Sequence, residues 1–122
     1  MDADQLATAL RASAAGFYPL EAGTELLISN GTFLRRGDFT HRFITRGTSG
    51  GTPIAAIDWD AAITALDTGG LPSSGGERRI LKLSASLAAG TPVSLRDAVT
   101  GLDDHNTARL VTAIRHASGK RP

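Results

Sequence analysis

The stretch Ser74–Asp103, SGGERRILKLSASLAAGTPVSLRDAVTGLD, decides how the rest of the chain is read. Ser74 and Glu77 stand three residues apart, the spacing of a capping box in which a hydroxyl and a carboxylate each satisfy a free backbone amide. Gly75 and Gly76 permit a tight entry between them. Ile80, Leu83 and Leu87 then fall on one helical face, and Gly90 marks the stop. The spacing predicts the longest helix of the chain here. Ser94 and Asp97 predict a short helix, and Asp103 caps a last one that Gly119 closes. Its expected inward face is Thr107, Leu110, Val111 and Ile114.

The same periodicity runs through the first half. Ala3, Leu6, Ala7, Leu10 and Ala14 make one face of a first helix. Pro19 suits the first turn of a second, with Glu21 near its positive end. In this second helix Leu20, Leu26 and Leu27 face inward, and Asn30-Gly31 ends it. A short helix follows, with Asp38 as its cap and Phe39 and Phe43 one turn apart. GTSGGTP, Gly47–Pro53, is the most loop-like stretch and is expected to be a mobile hinge. Ile54–Ile57 reads as a short extended segment. Asp58 then caps a helix lined by Trp59, Ile63 and Leu66 and ended by Gly69-Gly70. The expectation is a mainly α, compact helical bundle spanning 1–122 as one domain, with about five to seven helices and one short extended segment near 54–57.

The opening stretch also resembles the signature region of an ABC-type ATPase, where Ser-Gly-Gly-Gln opens a helix and a Gly-Leu-Asp-like loop follows. That resemblance implies a glycine loop ending in Lys-Ser/Thr to hold phosphates. Here Lys82 follows Leu81 and Lys120 precedes Arg121, so neither lysine fits. The resemblance also implies an apolar strand delivering Asp-Glu. Arg96 interrupts the corresponding stretch, and Ala98 stands where the glutamate should be. The capping reading explains every residue, and the likeness is coincidental.

Composition narrows the chemistry. The chain has no cysteine, which excludes disulfides and thiolate sites. No apolar run approaches the roughly 20 residues that span a bilayer. MDADQLATALRAS lacks the basic flank and apolar stretch of a signal peptide, so a cytoplasmic location and no membrane contact are expected. His105 and His116 are separated by roughly 16 Å of helix, too far to share a metal. Asp103, Asp104 and His105, like Asp58 and Asp60, cluster at helix starts, where acids favour the dipole. The serines form no nucleophile elbow. No catalytic residue, cofactor or metal ligand is assigned, and a non-enzymatic role is favoured.

Charge is uneven although the formal net charge is only +1. The acids Asp2, Asp4, Glu21 and Glu25 outnumber Arg11 in residues 1–31. Residues 32–47, TFLRRGDFTHRFITRG, carry Arg35, Arg36, His41, Arg42 and Arg46 interleaved with phenylalanines. Such interleaving suits a nucleic-acid surface or an acidic protein partner. The favoured reading is aromatic core anchors with a solvated arginine face. A helix-turn-helix over Ser94–Ser118 fits poorly, because Asp103 and Asp104 would meet DNA phosphate at the start of the recognition helix.

Glu21–Phe39 and Ile57–Gly119, about two-thirds of the chain, resemble a group of small stand-alone hypothetical proteins of high-GC actinobacteria. The resemblance implies a self-contained domain and carries no activity. The functional expectation is a small cytoplasmic binding protein that acts through a protein partner or as a homo-oligomer. The alternatives are a nucleic-acid-associated accessory protein using residues 32–47 and a degenerate nucleotide-binding or enzymatic domain.

Overall fold

The structure, a computed structural model, describes residues 1–120. Among them the chain forms α1 (Ala3–Ala14), α2 (Tyr18–Asn30), a 3-10 turn (Phe33–Arg35), α3 (Gly37–Phe43), β1 (Ile44–Ser49), β2 (Thr52–Ile57), α4 (Trp59–Asp67), α5 (Gly75–Ala89), α6 (Leu95–Val99) and α7 (Asp104–Ala117). The fold is mainly helical, as the periodicity predicts.

The caps lie where the serines and acids place them. Ser74 Oγ accepts from the Glu77 amide at 3.2 Å, and Glu77 Oε1 accepts from the Ser74 amide at 2.8 Å, closing the box at the start of α5. Asp58, Ser94 and Asp103 cap α4, α6 and α7 through the amides of Ala61, Asp97 and Asn106. Gly31 and Gly90 end α2 and α5 in left-handed backbone, which glycine adopts without a Cβ penalty.

The central element is α2, which packs on α5, α7 and α1. Neighbouring residues along it serve different parts of the interior. Leu26 joins Ile80, Leu83, Leu110 and Ala113, whereas Leu27 joins the aromatic core of Phe33, Phe39 and Phe43. On α5, Ile80 and Leu81 divide in the same way. A third cluster seats Leu6 and Leu10 of α1 against Leu34 and Ala55 of β2. The phenylalanine rings stack in sequence, with tilted centroids 5.0 Å apart for Phe33–Phe39 and 5.6 Å for Phe39–Phe43. Tilted contacts of this kind add to simple area burial.

The α2–α5 crossing is close because Gly23 has no side chain. A Cβ there would lie 2.4 Å from the Ser84 carbonyl oxygen and 2.7 Å from Ala88 Cβ. The crossing therefore brings backbone to backbone.

Three expectations are corrected. The expected hinge is an ordered β-hairpin: β1 and β2 pair antiparallel from Ile44↔Ile57 to Ser49↔Thr52, around Gly50 and Gly51. Both glycines have positive φ, the requirement of a two-residue primed turn. Pro53, which has no amide to give, is accommodated in this two-stranded ribbon opposite Thr48.

Asp38 does not cap α3. The N-cap position is Arg36, without a side-chain cap, and Asp38 lies in the first turn.

The third correction concerns α7. Its buried residues are Asn106, Leu110 and Ala113, while Val111 and Ile114 are 53% and 49% exposed. Small Ala113 and polar Asn106 face α2, so the inward side is not the one with the largest apolar residues. Asn106 is retained there by a bond from Asn30 Nδ2 at 3.3 Å and one from Arg109 Nη1 at 3.0 Å.

Candidate functional site

The arginine segment was the leading sequence candidate, and the structure divides it in two. Arg36 is built into the fold. Its Nε and Nη2 engage the Asp38 carboxylate at 3.0 and 2.6 Å. Nη2 also donates to the Pro72 carbonyl at 2.7 Å, and Nη1 donates to Ser73 Oγ at 3.0 Å and reaches Glu77 Oε2 at 3.5 Å. One guanidinium thus ties the start of α3 to the α4–α5 loop and the α5 capping box. Arg42, six residues on near the end of α3, also ties to that loop, donating to the Gly70 carbonyl at 2.6 Å while lying 4.7 Å from the Phe43 ring centroid.

Arg35, His41 and Arg46 are exposed and together line an open cleft of about 540 Å³ beside the start of α1. None of the three makes an ion pair among the described residues. Asp2 and Asp4 line the same cleft and oppose phosphate there. The aromatic residues of the segment do not form a stacking platform. Phe33, Phe39 and Phe43 are all buried.

The Arg36 hydrogen bond holds the Asp38 carboxylate below its usual value of 3.8. A folded value below the unfolded one stabilises the fold at pH above 3.8, and that contribution disappears as pH falls through the folded value. Asp38 is half-exposed, so the effect is small. In thermal melts taken from neutral pH downward, Asp38→Asn is expected to narrow its deficit against the wild type as the pH drops below 3.8. An unchanged gap at all pH values would mean that this ion pair does not support the fold.

The residues that might have formed a catalytic pocket stand apart. Asp58 and Asp60 lie at the start of α4, Asp103 and His105 at the start of α7, and His116 at its end. Among the described residues, no group of three or more histidine, aspartate or glutamate side chains could hold a metal ion.

Sequence reasoning missed one polar pair. His116 Nε2 donates to Glu21 Oε1 at 2.7 Å, and Glu21 Oε2 accepts the Gly16 amide, also at 2.7 Å. The two residues are 95 positions apart, so no local spacing could reveal them. The Tyr18 ring leans on His116 with centroids 6.2 Å apart. Both members of the pair are largely buried and edge a cleft of about 240 Å³ shared with Arg11 and Glu25. Chemically, a carboxylate fixing one imidazole nitrogen is an orienting arrangement. Structurally, it fastens the end of α7 to the beginning of α2.

Besides Met1, Phe17 and Tyr18, the exposed large apolar side chains are two pairs, one on α6 and one on α7. Leu95 and Val99 are one turn apart on α6 and are 60% and 39% exposed. Val111 and Ile114 lie on α7, on the flank opposite His116 and Arg109. A four-residue turn joins the two helices. Compared with protein-family models, curated proteins and solved structures, the chain gives no match in any of the three. No helix among the described residues is long and apolar enough to cross a membrane.

Proposed function

We propose that the chain is a cytoplasmic, non-catalytic binding domain that works through a protein partner or a second copy of itself. The observation that carries this reading is the apolar pair on each of two consecutive helices, Leu95/Val99 on α6 and Val111/Ile114 on α7. Single exposed apolar residues are ordinary on protein surfaces, but pairs at helical spacing on adjoining helices favour an interaction surface. The arginine segment supports the reading indirectly, since Arg36 and Arg42 are engaged in holding the fold.

The test is capture from an extract of the native host, with a differently tagged copy of the chain also present. Wild type and Arg35→Ala/Arg46→Ala are expected to retain one stoichiometric protein, either a partner or the second copy. Val111→Glu/Ile114→Glu is expected to lose it while keeping the wild-type melting temperature, because both positions are solvent-facing. Retention of nucleic acid that falls steeply with salt and disappears in the arginine variant would favour the nucleic-acid reading instead.

A further inference from the structure

Three cations of α5 reach a cleft of about 300 Å³ bounded by α4, α5, the loop after α5 and α6. Two of them are already engaged. Arg78 Nη1 donates to the Leu66 carbonyl at 3.1 Å, and Lys82 Nζ lies 3.3 Å from Asp67 Oδ1. Arg79 differs. It is partly buried, yet it has neither a hydrogen-bond acceptor nor an ion-pair partner among the described residues.

Arg79 is also flanked by glycine on two sides. Its guanidinium lies between two glycines that are 26 positions apart in sequence. Nη1 is 3.2 Å from where a Cβ of Gly75 would stand, and Nη2 is 3.3 Å from that of Gly101. A methyl group at either position would press on the guanidinium. A guanidinium carries five donors in a planar fork, and no protein acceptor among the described residues takes any of those of Arg79. An oxyanion seated against the fork would satisfy them in pairs.

We propose that this cleft binds the phosphate or carboxylate head of a small organic anion, with Arg79 as its anchor. Ser94 stands on the rim, and its Oγ accepts the Asp97 amide at 3.4 Å, which leaves its own O–H to donate to the ligand. Ile63, Val93 and Ala98 supply an apolar wall for the rest of the molecule. Two acids, Asp67 and Asp97, line the same cleft against three cations. That balance selects a single anionic group and works against a polyanion. Asp97 also favours a ligand that offers a hydroxyl or amine donor beside the anion. The volume lies at the lower end of small-molecule sites, which fits a ligand of metabolite size.

The experiment is a nitrogen–proton NMR titration of the whole chain with inorganic phosphate and, separately, with acetate, against chloride at equal ionic strength. The expected result is saturable movement of the Gly75, Ser94 and Gly101 amides and of the Arg79 Nε–H resonance. Arg79→Gln is expected to weaken binding by about tenfold or more, the loss of one bidentate charged contact. Lys82→Gln, at a solvent-exposed ion pair, is expected to weaken it less, and the wild-type Nε–H signal reports on Arg79 without any substitution. Movement with phosphate alone identifies a phosphate ligand, and equal movement with acetate identifies a carboxylate. If neither anion moves these resonances more than chloride does, or if Arg79→Gln responds like the wild type, the proposal is overturned.

Discussion

Replacing Gly23 by alanine is expected to destabilise the fold by about 3 kcal/mol, at the upper end of the range for overpacked interiors. The position is buried on α2, where the helix crosses α5. An added Cβ would approach the Ser84 carbonyl oxygen to 2.4 Å and the Ala88 backbone nitrogen to 2.8 Å. Neither atom can rotate away as a side chain could, so the two helices must separate. Because Ile80, Leu81, Leu26 and Leu27 flank the crossing, separation opens both interior clusters that these helices share. The partner substitution Ala88→Gly should recover only part of the loss, since it removes the Cβ contact and leaves the Ser84 carbonyl in place. Urea denaturation with a fitted m-value measures this directly. A loss below about 1 kcal/mol would show that the crossing is looser than described.

Arg36→Ala is expected to cost about 3 kcal/mol, a loss that a residue serving only as an interaction surface would not show. The guanidinium satisfies the Pro72 carbonyl, Ser73 and Asp38 together and reaches Glu77, the residue that closes the α5 capping box. Its side chain is only 19% exposed, so solvent replaces these bonds poorly. Arg36→Lys should recover less than half of the loss, because an ammonium cannot span the same forked set of acceptors. By contrast, Arg35→Ala and Arg46→Ala should leave stability within about 0.5 kcal/mol of the wild type, as expected for exposed positions without such contacts. Chemical denaturation of the four variants side by side separates the two classes. Equal stability of all four would return the whole arginine segment to the surface.

The parts of the fold that could be read from sequence are those set by short-range chemistry. Ser74 with Glu77, Asp58, Ser94 and Asp103 place helix starts because a cap needs only a side-chain oxygen and an amide two or three residues on. The hairpin escaped this logic because β1 is exposed along nearly its whole length and carries no apolar alternation. Its turn glycines looked like a break for the same reason. The inward side of α7 does not follow its largest apolar residues, because close approach to α2 uses Ala113 and Asn106 while Val111 and Ile114 face outward.

The candidate sites were less legible, since each depends on long-range contacts. Arg36 meets partners 36 to 41 positions away, and no pattern within residues 32–47 separates it from Arg35. Glu21 and His116 meet only through the α2–α7 packing. The Arg79 cleft requires Gly101 to fold back onto α5. Aromatic and arginine residues in one segment suggested a single surface. The fold places the aromatics inside, uses Arg36 and Arg42 as ties, and leaves Arg35, His41 and Arg46 outside.

On the proposed function, the apolar pairs Leu95/Val99 and Val111/Ile114 make the contact with the partner. Site-specific photo-crosslinking in the native host tests it most directly, with a photoreactive side chain placed at Val111 in one strain and at Arg35 in another. One discrete protein adduct, a partner or a second copy, is expected from position 111 and none from position 35. A discrete adduct from position 35 with none from position 111 would contradict it.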